Sequence, residues 1–338
     1  VIDSVAIDLL PPPVFNNPAA TVCAGSEITY TLTMPYSEYE WTVTGGAVVA
    51  GGSGFNFVKV RWNSVPAGRV NVVVSPGADC AASAYTDVSI NNLSGSITSV
   101  TNITCDGAMN GMVSAEGTAG TGVAPYTYSL DGGAYQSSGS FTNIGPGTHI
   151  VTVLDDILCT YELSFTITQP QLLIATASKT DVACFGDLTG SISAAASGGT
   201  PPYEYNLNGG SYQATGIFSG LPAGLHTLTV RDGNSCSFVL KIDITQPDAL
   251  TGSAAVSEEI KCHGGTATVT LTGGGGTPPL SYTFNGVSNA TGIFTGITAT
   301  AGYVWSITDA NGCGPVTGSL DVTEPAVLTG SAAVTTAI

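Results

Sequence analysis

The sequence predicts an all-β protein built as a tandem array of small two-sheet modules. Three observations carry that expectation. Apolar residues alternate with period two, cysteines and whole phrases recur at a period of about 80 residues, and turn residues punctuate the chain about every 8–12 positions.

The alternation is clearest in two parallel passages. Tyr126, Tyr128 and Leu130 alternate with Thr127 and Ser129, and Tyr203, Tyr205 and Leu207 repeat the pattern. Val151 and Val153 flank Thr152, as Leu228 and Val230 flank Thr229. Period two with β-branched and aromatic residues means half-buried strands. No segment shows a 3.6-residue apolar stripe. The "DGG" at 131–133 and "NGG" at 208–210 are hairpin signals, because Asp, Asn and Gly tolerate positive φ. Asp155, Asp232 and Asp309 open turns in which a carboxylate accepts from backbone N–H groups. About seven short strands in under 80 residues suggest an immunoglobulin-like sandwich.

The eight cysteines frame the array. Taken in order they form four pairs at a near-constant period, each closing a loop of about 50 residues. The expected bridges are Cys23–Cys80, Cys105–Cys159, Cys184–Cys236 and Cys262–Cys313, one inside each module. Disulfides imply an oxidising compartment. No CxxC spacing favours zinc.

Three phrases match: "APYTYSLDGGAYQSSGSFTNIGPGTHIVTVLDD", "PPYEYNLNGGSYQATGIFSGLPAGLHTLTVRDG" and "PPLSYTFNGVSNATGIFTGITATAGYVWSITDANG". Each leads through a cysteine to a last strand and then to "ITQP", "ITQP" or "VTEP". The first module differs, with "YEWTVTGG" and "FVKVRWNSVPAGRVNVVV" as its strands. Pro170, Pro247 and Pro325 end successive modules with no Gly/Ser-rich linker, which makes the array semi-rigid. The expected domains are 1–10, the end strand of a preceding module; 11–91; 92–170; 171–247; 248–325; and 326–338, the first strand of a further repeat. "LTGSAAV" follows both Pro247 and Pro325, so the next cysteine is expected just past Ile338 and the chain reads as a fragment cut at both ends.

Composition bounds the function. Seven basic residues face 24 acidic ones, a net charge of −17, which excludes a phosphate-neutralising surface and a polybasic membrane contact. Charged residues make up 9% against about 25% in an average chain, and no apolar run approaches a membrane span. No HExxH, GxSxG, P-loop or dinucleotide-binding glycine pattern is present, so neither catalytic nor cofactor residues are expected. His149 and His226 hold equivalent positions, with Tyr303 in the third copy, and share the parity of the core residues. His263 follows a cysteine in a turn and is expected to be exposed. The pair Asp155 and Asp156 becomes Asp232–Gly233 and Asp309–Ala310 in the sister copies, so a turn role outweighs glycosidase chemistry. Gly273 to Gly276 read as a loop. Calcium is the one metal that junction aspartates could hold, without a DxDxDG loop to support it. Tyr135 and Tyr212 are the candidates for stacking on sugar.

The repeats resemble the SprB repeats of large cell-surface adhesins of gliding Bacteroidota, through "CFGDLTGSISAAASGGTPPYEYNLNGG", "GLPAGLHTLTVRDGNSC" and "ITQP" with their sister copies. The first module resembles the PKD-like domains of such proteins, through "YEWTVTGG" and "GRVNVVV". The resemblance implies type IX export, outer-membrane-associated surface display, and long stalks that join the cell to a substratum and serve gliding. The expected function is a non-enzymatic stalk segment of an extracellular adhesin or filament. Its partners would be neighbouring modules of the same chain, an unknown surface or polysaccharide target, and other chains bundled side by side into fibres. The alternative is a carbohydrate-binding or spacer array of a secreted hydrolase.

Overall fold

The computed structural model describes residues 11–16, 19–76 and 80–333. The chain divides into two compact units, Val1–Pro170 and Gln171–Ile338. All regular structure among the described residues is strand. The end strand expected over 1–10 lies outside the described residues. The strand expected from 326 onward is not formed over 326–333, and 334–338 lie outside the described residues.

The first unit opens with a seven-stranded sandwich: β1 (Thr21–Cys23), β2 (Glu27–Thr31), β3 (Tyr39–Thr44), β4 (Gly46–Gly51), β5 (Phe57–Trp62), β6 (Ala67–Val74) and β7 (Ala82–Asn91). One sheet runs β1-β7-β6-β3 and the other β2-β5-β4. β1 pairs parallel to β7, while the remaining ladders are antiparallel. The alternation of β5 shows why. Val58, Val60 and Trp62 are buried, and between them Lys59 and Arg61 point outward to share Glu27 on the neighbouring strand. The core is aromatic: Phe15, Tyr30, Tyr39, Trp41 and Trp62 pack with a set of valines. Phe15 and Trp62 both meet Tyr30 edge-on at 6.2 and 6.1 Å.

A second sandwich completes this unit: β8 (Gly95–Thr101), β9 (Gly111–Gly117), β10 (Thr127–Leu130), β11 (Ser140–Ile144), β12 (Gly147–Leu154) and β13 (Thr160–Ile167). Its sheets are β11-β9-β8 and β10-β12-β13. Val113, Ile144, Val151, Val153 and Ile167 fill the space between them.

The second unit holds two sandwiches of the same plan. The first comprises β14 (Ile174–Thr180), β15 (Gly190–Ser197), β16 (Glu204–Leu207), β17 (Ile217–Leu221), β18 (Gly224–Arg231) and β19 (Ser237–Ile244). Its sheets are β14-β15-β17 and β16-β18-β19. The other comprises β20 (Thr251–Glu258), β21 (Ala267–Gly274), β22 (Ser281–Phe284), β23 (Val287–Asn289), β24 (Ile293–Ile297), β25 (Thr300–Thr308) and β26 (Val316–Val322). Its sheets are β20-β21-β24 and β23-β22-β25-β26.

The hairpin signals fold as their chemistry demands. Asp131 and Gly132 have φ of 49° and 74°, Asn208 and Gly209 51° and 75°, and Asn285 and Gly286 44° and 82°. Positive φ at two successive residues is the type I′ turn that suits the twist of a hairpin. One alternation is modified here. Ser129 and Asn206, expected to face outward, are buried. Each turns back on its own hairpin: Ser129 Oγ donates to Gly133 O at 2.7 Å, and Asn206 Nδ2 donates to Gly210 O.

Candidate functional site

Two kinds of turn, at opposite ends of every sandwich, hold the cysteines. The first kind joins the first two strands: "CAGS", "CDGA", "CFGD" and "CHGG" at Cys23, Cys105, Cys184 and Cys262. In each, the amide three residues after the cysteine donates to the cysteine carbonyl, at 2.9–3.1 Å (Ser26, Ala108, Asp187, Gly265). The third residue is left-handed, with φ of 80° at Gly25, 72° at Gly107, 80° at Gly186 and 77° at Gly264, which favours glycine. In the three repeats the amide of that glycine is held by the side chain just before the terminal proline. Gln169 Oε1 accepts from Gly107 N at 3.2 Å, Gln246 Oε1 from Gly186 N at 2.9 Å, and Glu324 Oε2 from Gly264 N at 2.7 Å. This gives "ITQP" and "VTEP" a physical purpose that the sequence alone did not reveal.

The second kind of turn joins the last two strands and carries the other cysteine. Here the expected aspartate geometry is present. Asp155 Oδ1 accepts from Ile157 N (3.2 Å) and Cys159 N (2.8 Å), and Oδ2 accepts from Val123 N (3.1 Å). Asp232 accepts from Asn234 N, Cys236 N and Thr200 N at 3.0, 2.9 and 2.7 Å. Asp309 accepts from Asn311 N, Cys313 N and Thr277 N at 3.0, 2.8 and 2.8 Å. All three aspartates are buried. Burial pushes the Asp309 carboxyl up, but the backbone N–H groups of Thr277, Cys313, Asn311 and Gly312 together outweigh it and hold the group below the usual carboxylate range. Glycines admit the loop that supplies one of these donors. A Cβ on Gly199 would stand 2.5 Å from Asp232 Oδ2, and one on Gly276 3.0 Å from Asp309 Cβ. In the glycine run, Gly273 and Gly274 end β21, while Gly275 and Gly276 turn in the left-handed region.

The disulfides do not follow the expected pairing. Cys23 bonds Cys159, with Cα atoms 5.4 Å apart and a sequence separation of 136. Cys184 bonds Cys313, with Cα atoms 5.5 Å apart and a separation of 129. Cys105 and Cys236 are disulfide-bonded as well, whereas Cys80 and Cys262 are free and exposed. The bridges Cys23–Cys80, Cys105–Cys159, Cys184–Cys236 and Cys262–Cys313 are therefore absent, and no sandwich closes on itself with Cys23, Cys159, Cys184 or Cys313. The reason is strand polarity. Beside the Cys105 turn, Gly111 packs against Ile144 and Ile167, and Ile167 pairs with Gly147 at the start of β12. Cys159 follows the far end of β12, where Leu154 pairs with Thr160. Eight residues of strand at about 3.3 Å each put roughly 26 Å between the two turns, and a disulfide requires Cα atoms within about 7 Å.

Cys23–Cys159 and Cys184–Cys313 thus each staple the first turn of a leading sandwich to the last turn of the sandwich that follows it. Hydrogen bonds accompany the staples. In the first unit Asn91 Nδ2 donates to Asp155 Oδ2, and in the second Asn311 Nδ2 donates to Ala183 O at 2.9 Å.

The remaining candidate residues are structural in their surroundings. His149 Nε2–H donates to Gly145 O at 3.1 Å, its Nδ1 lies 2.8 Å from Asp131 Oδ2, and its ring stacks on Phe165. His226 is buried, donating from Nε2 to Pro222 O at 3.0 Å, while its Nδ1 lies 3.0 Å from Asn208 Nδ2. Tyr303, in the third copy, reaches Thr298 instead. His263 is exposed and sits 3.1 Å from Glu324. Tyr135 and Tyr212 are both exposed, and the Arg231 guanidinium, itself bonded to Glu204, lies over the Tyr212 ring at 3.9 Å. Among the described residues no three His, Cys, Asp or Glu side chains are grouped to hold a metal ion.

Comparison with known proteins identifies the modules. Residues 94–135 and 176–211 match the SprB repeat, and residues 10–90 match the PKD-like domain. No curated protein matches the chain. Among solved structures, cadherin domains 3–6 of protocadherin gammaB7 align at 12% identity and a TM-score of 0.27, covering 92% of this chain and 99% of that one. The bacterial integrin-binding protein invasin aligns at 14% identity and a TM-score of 0.27, covering 92% and 78%. Three N-terminal domains of the outer capsid protein Hoc of bacteriophage RB49 align at 13% identity and a TM-score of 0.33, covering 67% and 95%. These scores are low, and the immunoglobulin-like assignment rests on the strand pairing itself. The chain is an extracellular-type, disulfide-bonded repeat array that carries a PKD-like domain followed by SprB repeats.

Proposed function

We propose that the chain is a stalk segment of a bacterial cell-surface adhesin, working by passive reach and resistance to extension, without turnover. The observation that carries this reading is the placement of the disulfides. A bridge inside a sandwich would secure that fold alone. Cys23–Cys159 and Cys184–Cys313 instead tie successive sandwiches together, which is useful where tension must pass from module to module. The polar groups support the same reading, because the buried aspartates and the buried His226 are occupied by hydrogen bonds that set turns rather than arranged around a substrate. Outer-membrane association, type IX export and service in gliding are the further content of this proposal, supported by the SprB repeats. The adhesive target, a surface or polysaccharide, would be met elsewhere along the assembly.

Single-molecule stretching tests it. With disulfides intact, the 136-residue segment between Cys23 and Cys159 is shielded from tension. Reduction should release about 450–490 Å of contour from that segment, at 3.3–3.6 Å per residue. A bridge inside one sandwich would release only about 170 Å. Extension lengths that do not change on reduction would overturn the mechanical role.

A further inference from the structure

We infer that free Cys262 is the open half of another staple, and that the thiol it takes is the last-turn cysteine of a further sandwich of this kind. On this chain Cys80 is the complementary thiol, so two copies are matched to join head to tail. The inference stands on the turn geometry and does not depend on the adhesive role.

The four first turns share one geometry. Those at Cys23 and Cys184 are bonded, and the turn at Cys262 is built in the same way. Its closing hydrogen bond, Gly265 N to Cys262 O, measures 2.9 Å, against 3.1 Å at both Cys23 and Cys184. Gly264 has φ of 77°, against 80° at Gly25 and Gly186. Glu324 clasps the Gly264 amide as Gln246 clasps that of Gly186. Lys261 takes the place of Ala183, whose carbonyl accepts from Asn311 of the following sandwich. The thiol of Cys262 is exposed and lacks only a partner.

Cys80 is the opposite half by topology. It lies between β6 and β7, the last two strands of its sandwich, as Cys159 lies between β12 and β13 and Cys313 between β25 and β26. Cys23, in the same sandwich, is at the other end: it pairs in register with Asn91, near the start of β6, whereas Cys80 follows the end of β6. Both known staples join a first-turn cysteine to a last-turn cysteine. The free thiols, one of each kind, obey the same rule. A head-to-tail link of this sort leaves one open thiol of each kind on the product, so it can repeat. Its formation is ordinary exchange. A Cys262 thiolate attacks glutathione disulfide and releases one glutathione, and a Cys80 thiolate then attacks the mixed disulfide and releases the second. Two protein thiols are oxidised as one glutathione disulfide is reduced to two thiols.

The test incubates concentrated protein with glutathione disulfide and separates the products without reductant. The expected result is a ladder of multimers whose linkage, by peptide mapping, is Cys262 to Cys80. The ladder is lost in Cys262→Ser and in Cys80→Ser, while a mixture of the two variants stops at the dimer. Serine at an exposed thiol leaves the sandwiches intact. A second arm appends a copy of residues 261–325 after Ile338, in register with the "LTGSAAV" phrase. If Cys262 then bonds only the appended counterpart of Cys313, the partner is a further module of the same chain. Products dominated by Cys262–Cys262 or Cys80–Cys80 links, or a Cys262 that stays unpaired with protein in both arms, overturn the inference.

Discussion

The PKD-like sandwich and the repeat over 171–247 reach similar strand plans by different chemistry. The first is packed from rings. Phe15, Tyr30, Tyr39, Trp41 and Trp62 form its centre, and Tyr30 and Trp62 are almost wholly inaccessible. The repeat over 171–247 has one fully buried aromatic hydrophobe in its core, Tyr205, among Ile, Leu, Val and Ala, with Tyr203, Phe218 and Phe238 half-buried around it. It compensates at its ends, where Asp232 gathers three backbone amides and Gln246 holds a fourth. A core of small aliphatic residues contributes less burial per module. Polar clasps in the turns restrict the loops that such a core leaves loose. The comparison teaches that here the repeat is specified largely at its ends, which are also where the staples attach.

Three measurements would break or sharpen that contrast. The largest effect is expected from Trp62→Ala, which removes an indole 1% exposed and should cost about 3–5 kcal/mol. Hydrogen exchange should then accelerate across β2, β4 and β5 and leave β15, β18 and β19 unchanged. Equal loss of protection in both regions would show that the sandwiches do not differ in this way.

Alkali comes next. Burial pushes the Tyr30 phenol up to about 12 from the ordinary 10.0. The folded state therefore holds its proton more tightly than the unfolded chain. Stability is complete below pH 10 and falls as pH rises toward 12, by up to about 2–3 kcal/mol. Tyr30→Phe should flatten that loss in the PKD-like sandwich, as read by denaturant unfolding at pH 9 and pH 11.5. The same slope in wild type and variant would remove Tyr30 as its cause.

The smallest effect is expected in a repeat. Asp232→Asn sets an amide where the Thr200 N–H now meets a carboxylate oxygen, and should cost about 1–2 kcal/mol. Exchange at the Thr200 and Cys236 amides should rise most. A neutral result would mean that the turn is fixed by its glycines and not by its carboxylate.

Much of the repeat was legible in the sequence, for reasons that can be named. Val151 and Val153 alternate with Thr152 because one face of β12 is buried, and the structure places them there. Asp155, Asp232 and Asp309 stand at a fixed distance before a cysteine, and a short acidic side chain in a turn has few other uses. The disulfide partners were not legible from spacing. A constant period gives equally regular intervals whether each cysteine pairs inside its module or with the next. Only the polarity of the strands separates the two schemes, since β12 holds the Cys105 turn and Cys159 apart. The "C-x-G" text shared by all four first cysteines was the available signal that these turns form one class, with the other four cysteines as their complements. Ser129 and its counterpart Asn206 depart from the alternation because a polar side chain that closes its own hairpin can be buried.

The staple from Cys23 to Cys159 has a last consequence, for what a single backbone cut would do. Had each sandwich closed on itself, the stretch between Cys80 and Cys105 would have been a single thread, and one cut there would have parted the molecule. In the observed arrangement that stretch lies inside the span from 23 to 159. A nick anywhere in it leaves the flanking segments covalently joined through sulfur, so the strand is continuous by a second route.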